Sequence, residues 1–327
     1  MKALPAALGA TAVAVTTLAL RRYLSARDAL AAVPPEYRSP LLLMFAVDIN
    51  SRSMKFSRLA GRIPIPPGPG VTLTERQVAG RLVLVLTPTH RSSAALLYIH
   101  GGGMVMGSPR SEIRGAANLA RELGAVVVSP DYRLAPEHPY PAAIDDCMST
   151  LRWMIDNADE LGIDPDRIAV TGSSAGGGLT AAVAQRAHDE GIRLRAQAMA
   201  YPMLDDRTVL RDDHGGRGQF LWSPASNRLG WTAYLGRPPQ LTDAPEYAAP
   251  GRRESLSGLP PAWIGVGDLD LFYDESVDYA GRLRAAGVEC ELVTVPGMYH
   301  GADGLAAKVP AMKAFRQGLL DHLRNHL

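Results

Sequence analysis

The chain has 327 residues, enough for one large α/β domain or two smaller ones, and its 46% hydrophobic content excludes a disordered polypeptide. A formal charge of +1, with no long basic or acidic run, leaves nothing suited to nucleic acid. Cys147 and Cys290 lie too far apart for a metal-ligand pattern or a disulfide framework and read as buried free thiols.

Residues 3–20 are uncharged and flanked by Lys2 and by Arg21 and Arg22. Their length just reaches that of a membrane span, but the stretch is rich in alanine. Two arginines and a tyrosine follow where a secretory signal would carry a small-x-small cleavage site. Three readings stand: an uncleaved membrane anchor or membrane-surface helix, a helix packed on the body, or a cleaved signal. As an anchor it would hold the body on the cytoplasmic side, because the arginines follow it. Residues 24–32 and 40–50 read as helical pieces broken by proline. Residues 62–70 are too proline-rich for regular structure and read as a linker. Residues 1–70 thus form an N-terminal helical region, and 71–327 the main domain.

From residue 72 the pattern changes to short apolar runs alternating with helical spacing. Strands are expected over 72–78, 81–86, 94–99, 125–129, 168–171, 196–201, 262–266 and 288–295. Helices are expected over 111–124, 142–156, 179–189, 275–286 and 309–327. This alternation implies a mostly parallel sheet covered on both faces, and the first two strands, with no helix between them, imply an antiparallel start. Residues 203–257 break the rhythm and are too long for a plain loop. They read as an insertion that closes over a site as a cap, with the N-terminal helices as its other half.

Three stretches carry chemistry. In the first, a strand at 168–171 runs into Gly172-Ser-Ser-Ala-Gly176 and then a helix. Strand, sharp turn and helix is the setting in which Gly-x-Ser-x-Gly means a strained elbow presenting the hydroxyl of Ser174. Read alone, the same residues also fit a glycine-rich turn with an incidental serine. In the second, the strand at 94–99 ends in His100-Gly101-Gly102-Gly103. Such a loop offers unshielded N–H groups to a developing oxyanion. It lacks the Gly-x-x-x-x-Gly-Lys-Ser/Thr of a phosphate loop. The third stretch supplies an acid and a base behind successive strands: Asp268, Asp270 or Asp274 after one, and His300 after the next. Serine, acid, histidine is the order this topology requires, and His300 would take the proton from Ser174. Spacing does not choose among the three aspartates.

In combination these stretches resemble the hormone-sensitive-lipase family of esterases and lipases, bacterial family IV of the α/β-hydrolases, over residues 72–325. The segment Asp131-Tyr-Arg-Leu-Ala-Pro-Glu-His-Pro-Tyr-Pro-Ala-Ala143 matches a long family signature. Asp270-Leu-Phe-Tyr-Asp-Glu275 is similar to its acid motif, and His300-Gly301 to its histidine motif. The resemblance implies an α/β-hydrolase fold, a mostly parallel eight-stranded sheet with helices on both faces and a helical cap. It implies Ser174 as nucleophile, Asp270 as acid and His300 as base. The oxyanion donors would be Gly102, Gly103 and Ala175. The implied activity is hydrolysis of small-molecule esters of short to medium acyl chains, with no metal or organic cofactor. Amidase or acyltransferase chemistry on the same triad, and a non-catalytic receptor on the same fold, are the alternatives. Ser173 stands where the family usually has Asp or Thr, Leu271 where proline is usual, and Ala302 where an aromatic is common.

Overall fold

Unbroken runs of branched apolar residues bury both faces of a strand, which is possible only at the centre of a layered fold. A computed structural model describes residues 27–39, 42, 48–61 and 63–327. It contains strands β1 (Val71–Val78), β2 (Arg81–Pro88), β3 (Ala95–Ile99), β4 (Val126–Pro130), β5 (Ile168–Ser173), β6 (Gln197–Ala200), β7 (Ala262–Gly267) and β8 (Cys290–Val295). They form one sheet in the order β1-β2-β4-β3-β5-β6-β7-β8. β1 and β2 form the expected antiparallel hairpin, with Val78 opposite Arg81, and β2 is also antiparallel to β4. Every other pairing is parallel.

The alternation divides the core in two. Val83 and Val85 of β2 face one side with Leu97, Ile99, Val126, Val128 and Val170. Leu84 and Leu86 face the other with Leu96, Val127 and Ala169. The first face is covered by helices α3 (Ala142–Asp156) and α4 (Ala175–Asp189). The second is covered by α2 (Ile113–Leu123) and the C-terminal α7 (Pro310–His326), through Ile113, Ala116, Met312 and Phe315. Helix α6 (Tyr273–Ala285) closes the β7–β8 end through Tyr279 and Leu283. Because β3, β5, β7 and β8 are parallel, the residues that follow them emerge along one edge of the sheet. A ligand site forms at that carboxyl edge in open α/β sheets.

Two sequence expectations need correction. Most of the helix expected over 40–50 lies outside the described residues, but residues 48–50 are not helical, and helix α1 runs over Ser51–Ala60. The reason is an N-terminal box. Asn50 accepts from the Ser53 N–H at 3.1 Å, and the Ser53 hydroxyl accepts from the Asn50 N–H at 2.8 Å. Together they start the helix at Ser51. Second, α4 begins at Ala175, four residues earlier than expected, and runs through Gly176, Gly177 and Gly178. Each helical glycine costs about 1 kcal/mol relative to alanine. Packing requires them. A Cβ on Gly176 would lie 2.1 Å from the Ile99 carbonyl, and one on Gly178 would lie 2.1 Å from that of Met203.

The apolar stretch 3–20, read as anchor, packed helix or signal, lies outside the described residues. No helix among the described residues is long and apolar enough to cross a membrane. The segment 203–257 contains α5 (Pro224–Leu235) and two short 3-10 turns, Asp206–Leu210 and Pro250–Arg252. The Ser223 side chain starts α5 by accepting from the Ser226 N–H, and Pro224 follows at its first position. The N-terminal region reaches this helix: Ile49 N–H donates to Ser226 Oγ, and Ser223 Oγ donates to Asp48.

Candidate active site

The glycines around Ser174 are dictated by the crossing of β5, β3 and α4. A Cβ on Gly172 would sit 2.5 Å from both the Gly176 and the Ile99 carbonyl oxygens. The turn leaves Ser174 at φ 56°, ψ −123°, a backbone region that side-chain-bearing residues avoid. Three hydrogen bonds hold it there. Its N–H donates to Ala200, and its carbonyl accepts from Gly178 and Met203 at 3.0 Å. Ser174 stands immediately before α4, where the helix dipole favours negative charge.

Ser174, Asp270 and His300 meet in one hydrogen-bonded line. His300 Nε2 lies 2.9 Å from Ser174 Oγ, and Nδ1 lies 2.8 Å from Asp270 Oδ2. All three are buried, Asp270 completely. The other Asp270 oxygen accepts from the Phe272 N–H at 2.9 Å, which fixes the carboxylate plane. The His300 ring is gripped edge-on by Tyr201 and by Phe272, with centroids 4.7 and 5.3 Å away. Tyr201 is itself anchored by donating to Asp303 at 2.8 Å.

The neighbouring aspartates do other work. Asp268 accepts from the Gly297 N–H at 2.7 Å and so ties down the loop that carries His300. Asp274 forms ion pairs with Arg211 and Arg217 on the surface. Only Asp270 reaches the imidazole.

The loop at 100–103 lies beside this line. Gly102 has φ 119° and Gly103 φ 62°, so both need the freedom of glycine. The loop is held from behind, peptide by peptide. His100 Nδ1 lies 2.8 Å from the Gly101 carbonyl, and the Gly102 carbonyl accepts from the N–H groups of Val105 and Met106. Among the described residues no hydrogen bond occupies the N–H of Gly102 or of Gly103. Ala175, the first residue of α4, contributes an N–H from the turn where a helix leaves its donors unpaired. His100 is buried and stacks on Tyr132 at 4.1 Å, and burial pushes its pKa down to about 4. It is therefore a neutral imidazole that donates from Nδ1.

The signature segment 131–143 braces the same loop. Tyr132 donates to the His100 carbonyl at 3.0 Å, and Ala135 N–H donates to Met104. Arg133 is held by Asp146 at 2.8 Å, and Glu137 is held by Arg58 of α1. From the other side Trp222 covers Gly103 so closely that a Cβ there would fall 1.9 Å from the indole.

Sequence reasoning missed several of these supports. Glu112 accepts from the Gly101 N–H, and Tyr201 flanks His300. Glu275 is buried and accepts from the Leu204 N–H and the Thr208 hydroxyl, joining α6 to the segment that leaves β6. Burial pushes its carboxyl well above the usual range. Glu112 and Tyr201 carry no spacing signal, and Glu275, although it closes the acid motif, shows nothing in its spacing of the contacts it makes. Each becomes a neighbour of the site only when strands distant in sequence pair.

A family model described as "alpha/beta hydrolase fold" matches residues 96–303, from β3 through His300. The chain belongs to the hormone-sensitive-lipase type of α/β-hydrolases, bacterial family IV. Among its relatives is "Esterase LipI" of Mycobacterium tuberculosis, 38% identical over 71% of this chain and 73% of the relative. "Carboxylesterase NlhH" of the same species is 42% identical over 66% of this chain and 68% of its own. A solved structure, "Bacterial Heroin Esterase", aligns with a TM-score of 0.82 at 34% identity, covering 91% of this chain and 98% of that one. This α/β-hydrolase is therefore an enzyme of an esterase family, with the eight-stranded sheet expected for it.

Proposed function

We propose that the protein is a serine carboxylesterase acting on small-molecule esters of short to medium acyl chains. The reading is carried by the Ser174–His300–Asp270 line, with contacts of 2.9 and 2.8 Å ending on a serine in a strained backbone turn. Ser174 Oγ attacks the ester carbonyl while His300 Nε2 accepts its proton. Asp270 holds the Nδ1–H tautomer and stabilises the imidazolium. The carbonyl oxygen becomes an oxyanion, received by the N–H groups of Gly102, Gly103 and Ala175 and favoured by the α4 N-terminus. His300 returns the proton to the departing alcohol, leaving an acyl-enzyme on Ser174. Water, activated by the same imidazole, releases the acid.

Residues 1–70 and 203–257 serve as the cap of a catalytic domain spanning 71–327. Support comes from the contacts of Asp48 and Ile49 with the start of α5, and from Trp222 seated on Gly103. A fluorophosphonate probe tests the nucleophile. It should label the protein once, at the peptide containing Ser174, and the label should vanish in His300→Ala. Labelling at another residue, or none, would contradict the assignment.

A further inference from the structure

Glu112 occupies the position before α2 where a side chain ordinarily caps its own helix, yet it makes no such bond. Its carboxylate turns instead to the glycine loop. Oε1 accepts from the Gly101 N–H at 2.8 Å, and Oε2 accepts from the Tyr98 hydroxyl at 2.7 Å. Both oxygens are therefore committed, one to the peptide that precedes Gly102 and one to β3. Burial pushes the Glu112 carboxyl above its usual range, with nearby Asp303 adding to the effect.

Three peptides in succession lead to the open donors. The first has its N–H held by Glu112 and its carbonyl by Tyr132. The second has its carbonyl held by His100, and the third has its carbonyl held by Val105 and Met106. The second and third carry the N–H groups of Gly102 and Gly103, which point away from their held carbonyls because a trans peptide directs the two groups oppositely. The Gly101 N–H lies in a buried backbone stretch, and Glu112 is its partner. Without Glu112 that donor would have to find another acceptor, and the simplest route is rotation of the peptides that follow.

We propose that Glu112 is a positioning residue for the oxyanion loop, fixing the peptide ahead of Gly102 so that the next two N–H groups stay aimed at the Ser174 adduct. The proposal rests on the serine-esterase reading above. It separates Glu112 from a structural support of α2, because a loop held out of aim weakens binding of the tetrahedral adduct and not of the ester.

Steady-state hydrolysis of p-nitrophenyl butyrate by Glu112→Ala, Glu112→Gln, Tyr98→Phe and Ser174→Ala tests it, together with inhibition of each by an aryl trifluoromethyl ketone. Loss of one oxyanion donor lowers kcat by about 10²–10³, so misaiming the pair in Glu112→Ala should lower it roughly 10- to 100-fold with KM within about threefold. Ketone affinity should fall by the same factor. Glu112→Gln should recover most of the rate, since its carbonyl still accepts from Gly101 and its amide donates to the Tyr98 oxygen. Tyr98→Phe should show a smaller fall, again in kcat. Wild-type kcat in a folded Glu112→Ala, a loss confined to KM, or a Glu112→Gln as impaired as the alanine variant would overturn the proposal. Where the alanine variant does not fold, unchanged kcat and ketone affinity in Tyr98→Phe would overturn it. An active Ser174→Ala would strike the esterase reading itself. An inactive one beside an unimpaired Glu112→Ala would remove Glu112 alone.

Discussion

Asp268, Asp270 and Asp274 all follow β7, and each has a different partner: a backbone N–H, an imidazole and two arginines. Asp270→Asn should therefore lower kcat by about 10⁴, the effect expected when the amide stabilises the wrong imidazole tautomer. Asp268→Asn should be far milder, acting only through the Gly297 tether. Steady-state kinetics on one p-nitrophenyl ester would check both, and a reversed ranking would contradict the account. That Ser174 and His300 would come together was legible in the sequence because strand-end placement and small neighbours mark them. That Asp270 and not Asp268 or Asp274 joins them was legible only through the resemblance, since all three follow one strand and only their partners in the fold separate them. Ser173 also gains a physical setting. Its carbonyl and hydroxyl oxygens lie 3.1 and 3.4 Å from where a Gly101 Cβ would stand, beside Glu112 Oε1 at 3.3 Å. A small neutral side chain suits a spot already served by a carboxylate.

Among the elements, the glycine loop and the start of α5 are locked together. Trp222 and Gly230 both press on Gly103: a Cβ on Gly230 would meet the Gly103 carbonyl at 2.9 Å. Gly103→Ala should thus combine a left-handed backbone penalty of about 1–2 kcal/mol with a clash against the indole. It should lower Tm and nearly abolish ester turnover. Trp222→Ala alone costs about 3–5 kcal/mol as a buried-aromatic truncation, and the double variant should lose clearly less Tm than the sum of the two single losses because the clash is gone. Thermal melts of the single and double variants check this, and simple additivity of the two losses would contradict the contact. The main-domain strands and helices were legible because unbroken apolar runs alternate with segments of sustained 3.6 period. Helix α1 was not: its start is set by the paired side chains of Asn50 and Ser53, which carry no periodic signal. The glycines that begin α4 looked like turn residues because the need for them lies in β3 and in Met203, not in the helix.

For the molecule as a whole, the parallel strands bring residues far apart in sequence to one edge, and the site is as stable as the packing behind that edge. His100 illustrates the link to pH. Its native pKa of about 4 lies below the ordinary 6.5, so the unfolded chain takes up the proton first. Its contribution is intact above about 6.5 and fades as the pH falls towards about 4. A shift of this size corresponds to roughly 3 kcal/mol. His322, also pushed down to about 4, acts with the same sign. The raised carboxyls of Glu275 and Asp303 act oppositely, losing stability as the pH rises through their native pKa values. A difference measurement isolates His100. The Tm gap between the wild type and His100→Gln should narrow between pH 7 and pH 5, and a constant gap would contradict a buried neutral imidazole.

The central claim is that ester bonds are broken by acyl transfer to Ser174. Hydrolysis of p-nitrophenyl butyrate by the wild type and by Ser174→Ala, matched for folding by thermal melt, tests it most directly. The account predicts ready turnover by the wild type and a fall of at least about 10⁴-fold in the variant, leaving only what the oxyanion loop contributes alone. A folded Ser174→Ala that turns the ester over at a near-normal rate would contradict it.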